Sequence, residues 1–162
     1  MDTLIDLLRY SAREFGDATA LASTPGIRQR EWSYQKLWED ANRVASFLQD
    51  HGLKKGDHAV IWSPNRPEWV VAYFGCILAG VVLVPLDVRS SPDFVSRIIQ
   101  QTAPKLVFCS RQTSDDLPDS GVPTITLEDL EEALEGRPAQ WNGPSIAAED
   151  AAELMFTSGT TG

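Results

Sequence analysis

The sequence predicts an α/β fold, a mostly parallel sheet with helices on both faces. Three observations carry this. The apolar runs Ala59-Val60-Ile61-Trp62, Val81-Val82-Leu83-Val84 and Leu106-Val107-Phe108-Cys109 are short and largely β-branched or aromatic, as strands buried on both faces are. Helix-length segments with apolar periodicity separate them, the alternation that builds a parallel sheet wrapped by helices through right-handed crossovers. The chain has 162 residues, 43% of them apolar and 23% charged, enough for one domain with a real core. In such sheets ligands gather at the carboxyl ends of the strands.

Leu4, Leu7, Leu8, Ala12 and Phe15 recur at helical spacing, so residues 2–15 read as an amphipathic helix with Gly16 as its stop. Residues 19–23 and 29–33 read as two short strands around Pro25-Gly26, which suits the centre of a type II turn. Ser33 caps a second helix whose inward face is Leu37, Ala41, Val44 and Leu48, widened by Trp38 and Phe47 and closed at Gly52. After the Lys54-Lys55-Gly56-Asp57 turn comes a strand over 58–63. Asn65 and Pro67 open a third helix that ends near Gly80, and residues 81–86 form the next strand. Ser90, Ser91 and Pro92 start a helix with Phe94, Val95, Ile98 and Ile99 inward, ended by Pro104. A strand over 105–110, a polar connector over 111–121 and a short strand over 122–126 follow. Thr126, with Asp129 three residues on, is expected to cap a short acidic helix over 127–134. A second polar connector, 136–148, carries Trp141, and residues 149–153 lead into a final buried strand, Leu154-Met155-Phe156.

Composition excludes several functions. Net charge is −9, from 23 acidic and 14 basic residues, which argues against nucleic acid or an anionic membrane as partner. Cys76 and Cys109 each lie inside an apolar run, outside any C-x-x-C pair, as buried free thiols of a reducing compartment do. No basic segment precedes an apolar one at the start, so no signal peptide is expected. Residues 69–86 carry no charge, but Gly75, Gly80 and Pro85 interrupt them, and a core helix followed by a core strand fits better than a membrane span. His51 and His58 lack ligand-like spacing, so no metal site is expected. Asp115, Asp116, Glu128, Asp129, Glu131, Glu132 and Glu135 read as a solvated face, because a working acid–base pair needs one desolvated member.

The stretch around which the chain is organised comes last. Leu154-Met155-Phe156 runs into a tract of only Thr, Ser and Gly: Thr157, Ser158, Gly159, Thr160, Thr161 and Gly162. Glycine admits close backbone approach and the hydroxyls add donors, so the tract can cradle a phosphate. It lacks the spacing and the lysine of a Walker A loop. Two readings stand at this point: a solvated turn, or a phosphate loop.

The string Thr-Ser-Gly-Thr-Thr-Gly at 157–162 resembles the signature loop of the adenylate-forming (AMP-binding) superfamily, which includes acyl-CoA synthetases and peptide-synthetase adenylation domains. Further segments carry the same resemblance: Tyr34-Gln35-Lys36-Leu37, the Gly-Leu-Lys-Lys-Gly-Asp turn at 52–57, Pro-Asn-Arg-Pro-Glu-Trp at 64–69, Ala79-Gly80, and Val84-Pro85-Leu86-Asp87. The resemblance implies a Rossmann-like fold, with residues 1–162 as a single truncated N-terminal subdomain of an adenylating enzyme. It implies an ATP- and Mg²⁺-dependent carboxylate–CoA ligase. A carboxylate attacks the α-phosphate of ATP, giving acyl-adenylate and pyrophosphate, and coenzyme A then takes the acyl group. Thr157, Ser158, Gly159, Thr160, Thr161 and Gly162 would hold the leaving pyrophosphate, and no catalytic residue falls within this chain. The family loop continues with Pro-Lys; this sequence ends at Gly162, so the fragment alone is expected to be inactive and to self-associate through surfaces left bare. Val88-Arg89 after Leu86-Asp87, where many relatives have proline, points to a fatty-acyl subgroup. The expected location is the cytoplasm, with the parent protein at the membrane periphery. The competing reading is a stand-alone Rossmann-like module that binds a phosphate ligand without chemistry.

Overall fold

The computed structural model describes residues 2–24 and 29–156. In chain order its elements are α1 (Leu4–Phe15), β1 (Thr19–Ser23), β2 (Arg30–Ser33), α2 (Tyr34–Asp50), β3 (His58–Trp62), α3 (Pro67–Ala79), β4 (Val82–Leu86), α4 (Pro92–Thr102), β5 (Leu106–Cys109), β6 (Thr124–Thr126) and α5 (Leu130–Ala133). Two 3₁₀ turns, Ser114–Asp116 and Leu127–Asp129, flank β6. The central sheet has the order β4-β3-β5-β6, and every neighbouring pair in it is parallel. Its register sets Ala59 beside Leu83 and Leu106, and Val60 beside Val84 and Val107.

The period of two along each strand divides the core. Ala59, Ile61, Leu83, Leu106 and Phe108 face α1, α2, α3 and the Leu127–Leu130 segment. Val60, Trp62, Val84, Leu86 and Val107 face the other way and pack on Val95, Ile98 and Ile99 of α4. Both sheet faces are covered, as the continuous apolar runs predict. Each fully buried aliphatic side chain contributes about 1.5–3 kcal/mol, so the two layers supply most of the driving force.

Helix α3 is apolar on nearly all sides because it lies between the sheet and α2. Gly75 lets α2 and α3 approach closely: a Cβ there would overlap Val44 Cγ1 and Cβ of α2. Helix α3 ends at Gly80, whose φ of 69° is left-handed and whose N–H donates to the carbonyls of Cys76 and Ile77. Among the described residues no helix is long and apolar enough to cross a membrane. Ser33 caps α2 and Ser91 caps α4, each accepting from the backbone N–H three residues on. The strands β1 and β2 pair antiparallel as expected, while Pro25 and Gly26 of the connecting turn lie outside the described residues.

Three expectations need correction. Helix α1 buries Ile5, Leu8 and Ala12, while Leu4, Leu7 and Phe15 stand exposed at 42%, 48% and 53%. Two apolar arcs overlap on this helix, and one-sided packing against α2 and α3 uses only one of them. Residues 127–134 do not form one helix: a 3₁₀ turn leads into the single α-turn of α5. Thr126 makes no side-chain cap, because it still belongs to β6. Several acidic side chains here bond across the fold: Glu128 to Arg66 and the Arg111 N–H, Glu131 to Arg30 and Lys36, and Asp129 to Arg111.

Candidate functional site

The segment that delivers the Thr/Ser/Gly tract is held from below. Trp141 anchors its start: the indole Nε1 donates to Leu78 O at 3.0 Å, and the backbone N–H donates to Asn42 Oδ1 at 2.9 Å. Lys55 Nζ donates to Ser145 O at 3.0 Å and pairs with Asp150 at 2.5 Å. The Asp150 carboxyl is held below its usual range by Lys55 and by the Ala147 N–H. The chain then meets the outer edge of β4, where Leu83 N–H donates to Ala152 O at 3.1 Å and Leu154 N–H donates to Leu83 O at 2.9 Å.

The expected final strand is therefore a single parallel bridge, Leu83 to Glu153. Leu154 and Met155 are exposed, at 39% and 67%, against the expected burial. The reason lies in β4. Val82 N–H donates inward to Asp57 O, so residues 83 and 85 of β4 turn their backbone groups outward. The outward position after Leu83 is Pro85, which has no N–H to give, and the ladder stops.

Parallel direction carries the segment toward the carboxyl end of β4, where Phe156 packs on the α4 face of the core. Beside it is an open hollow of about 610 Å³ lined by Pro85, Leu86, Asp87, Arg89, Phe94 and Arg97. Trp62 Nε1 donates to Asp87 O at 3.0 Å, tying this loop to β3. The Asp87 carboxyl is lowered to about 2 by the Arg89 guanidinium and then by the Arg89 N–H. Thr157, Ser158, Gly159, Thr160, Thr161 and Gly162 lie outside the described residues. The described residues before them, 152–156, run toward the carboxyl end of the sheet.

The crevice between β3 and β5, where the strand order reverses, is closed. Thr113 Oγ1 donates to Trp62 O at 2.7 Å and accepts from Ser110 N–H at 3.1 Å, and both residues are buried. A second hollow of about 260 Å³, lined by Trp32, Lys36, Asp40, Arg43, Glu68 and Glu131, lies on the α2–α3 side, away from Phe156. Most of its charges are paired: Lys36 and Arg43 with Asp40, and Glu68 and Glu131 with Arg30. Among the described residues no group of three or more His, Cys, Asp or Glu side chains is arranged to hold a metal ion. His51 Nδ1 and His58 Nδ1 lie at 2.9 and 2.8 Å from the Phe47 and Thr102 carbonyls, in structural roles. Sequence reasoning passed over Thr113 and the register role of Pro85. A proline inside a Val/Leu run was the available signal for the second.

Comparison with known proteins places this geometry. A family model described as AMP-binding enzyme matches residues 8–162. A crotonobetaine/carnitine–CoA ligase of Salmonella paratyphi A is 31% identical over 93% of this chain and 33% of its own length. Phosphinothricin tripeptide synthetase PhsC of Streptomyces viridochromogenes is 31% identical over 99% of this chain and 14% of its own. A fatty acyl-adenylate ligase from L. pneumophila, solved with acyl adenylate and pyrophosphate, superposes with a TM-score of 0.81 over 99% of this chain and 29% of that one. At 24% identity that likeness speaks for the fold. The chain spans a third or less of the length of these proteins.

Proposed function

The chain belongs to the AMP-binding enzyme family, and from that premise we propose that it is the N-terminal part of an ATP-dependent acid–thiol ligase. The enzyme joins a carboxylate to AMP with release of pyrophosphate and then passes the acyl group to a thiol. The proposed carboxylate is a fatty acid and the proposed acceptor is coenzyme A. Thr157, Ser158, Gly159, Thr160, Thr161 and Gly162 would hold the β- and γ-phosphates through backbone N–H groups and hydroxyls. The donor set suits a polyphosphate, with four hydroxyl side chains and two glycines that leave the backbone open. Mg²⁺, arriving with the nucleotide, would neutralise the charge on the leaving pyrophosphate.

The observation that carries the reading is the course of residues 152–156. They are tied to β4 at Leu83 and directed toward the carboxyl end of the sheet, the end at which such folds bind nucleotides, and this supports reading the next residues as the phosphate site. The surroundings do not act as a general anion trap, since the net charge is −9. Charge neutralisation therefore falls to the tract and its cation.

The test is carboxylate-dependent exchange of labelled pyrophosphate into ATP by the complete gene product, with short, aryl and long-chain acids. Exchange with long-chain acids alone is the expected result. Exchange with another class would correct the substrate. None with any acid, from folded protein, would leave a phosphate-binding module without chemistry. Offering coenzyme A and a carrier-protein thiol in parallel settles the acceptor, because the chain is as similar to a peptide synthetase as to a CoA ligase. The 162-residue chain by itself is proposed to be inactive, and turnover by it would refute that. Self-association through exposed Leu154 and Met155 belongs to the same proposal; a monomer in light scattering at high concentration would exclude it.

A further inference from the structure

The segment 152–156 and β4 share one bridge, and the register explains why they share no more. In a parallel ladder the outward residues of β4 bond alternately, by N–H and by C=O, to the neighbouring chain. Leu83 makes both bonds, to Ala152 and Leu154. The next outward residue is Pro85, and a donor there would meet the carbonyl of Leu154. We propose that Pro85 is a positioning residue: it ends the pairing after Leu83 and so fixes the point, at Leu154, where the chain leaves the edge of β4 ahead of the Thr/Ser/Gly tract.

Three features of the molecule agree. The described backbone bonds from this segment to β4 stop at Leu154. Phe156, instead of continuing along the edge, turns onto the α4 face beside Leu86 and Phe94. The part of the segment before the bridge is fastened by Trp141 and by Lys55 to Asp150, so the segment reaches Leu83 in a fixed register. Restoring a donor at position 85 would let the ladder run two residues further. Leu154 to Phe156 would be drawn into an edge strand, and Phe156, the residue before the tract, would leave the α4 face.

The inference rests on the reading of the tract as a phosphate loop, and the experiment separates the two. Pro85→Ala and Pro85→Val are made in the complete gene product, two variants of different bulk so that one misfolding does not decide the matter. Hydrogen exchange is followed by mass spectrometry on peptides covering residues 81–90 and 150–162, and KM is measured for ATP and for the carboxylate. The expected result is a protected amide at residue 85 and exchange slowed about tenfold at Phe156, whose N–H would face the carbonyl of residue 85 in the extended ladder, with a raised KM for ATP and an unchanged KM for the carboxylate. A purely packing role for Pro85 predicts the opposite sign, faster exchange from a loosened edge. Unchanged or faster exchange would overturn the inference while leaving the phosphate reading intact. Slower exchange with an unaltered KM for ATP would uphold Pro85 as the end of the ladder and count against the tract as the phosphate site.

Discussion

Thr113 is the residue on which the upper end of the sheet closes. Its hydroxyl donates to the carbonyl of Trp62 and accepts from the N–H of Ser110, so one oxygen satisfies groups from β3 and from the loop after β5. Thr113→Val keeps the shape and removes both bonds, stranding a buried donor and a buried acceptor. We expect a loss of about 1–3 kcal/mol in urea unfolding, with Thr113→Ser close to the parent, because an unmade buried hydrogen bond costs its full desolvation. Asp87 offers a different single-residue test. Its carboxyl is lowered from 3.8 to about 2 by Arg89, on an exposed loop. A folded pKa below the unfolded one means that the interaction is fully present above about pH 4 and is lost as pH falls toward 2. NMR titration of the Asp87 carboxyl carbon should give a midpoint near 2, returning toward 3.8 in Arg89→Ala. A midpoint that stays near 2 in the variant would mean that the guanidinium does not hold the carboxyl down and that the backbone N–H of residue 89, which the substitution keeps, does.

At the level of elements, the crossing of α2 and α3 leaves no room for a side chain at Gly75. Gly75→Ala would drive a methyl group into Val44 and to 3.1 Å from Ala41 O, neither of which is a flexible side-chain end. Overpacking of this kind costs about 1–3 kcal/mol. We expect Gly75→Ala to lower the urea midpoint accordingly and Val44→Ala to recover part of the loss in the double variant. Additive losses would show that the contact is not shared. The same scale shows what could be read in advance. Strands β3, β4 and β5 and helices α2 and α4 were legible from continuous apolar runs and 3.6-residue periodicity, and α3 from the glycines and proline that rule out a membrane span across residues 69–86. Helix α1 was not, because Leu4, Leu7 and Phe15 continue the apolar arc that Ile5, Leu8 and Ala12 begin, and only the neighbours choose between them. The final strand failed for a relational reason: Leu154-Met155-Phe156 has the composition of a strand, but its pairing depends on Pro85, about seventy positions earlier. The tract itself was legible as chemistry, since small hydroxyls and glycines suit a phosphate whatever the backbone path.

For the molecule as a whole, the question is whether the two layers of core open together. The sheet is shared: Ile61 and Phe108 belong to one layer while Val60 and Val107, their chain neighbours, belong to the other. Exposing either layer should expose both, because the strands cannot leave one face without leaving the other. The two thiols report on this. Cys76 lies in α3 within the first layer and Cys109 ends β5, and both are buried and unpaired. Burial raises the pKa of each thiol, so neither reacts as a thiolate in the native state. Under native conditions a thiol reagent should therefore label both at one rate, slowed by about 10³-fold or more relative to unfolded protein, since each waits for global opening. Labelling measured against added urea should rise in parallel for the two cysteines, with the dependence on urea seen in equilibrium unfolding. Faster labelling of Cys109 alone, with a weaker dependence on urea, would mean that the β5–β6 edge opens by itself. In that case Thr113, which joins this edge to β3, would be the bond to strengthen or break next.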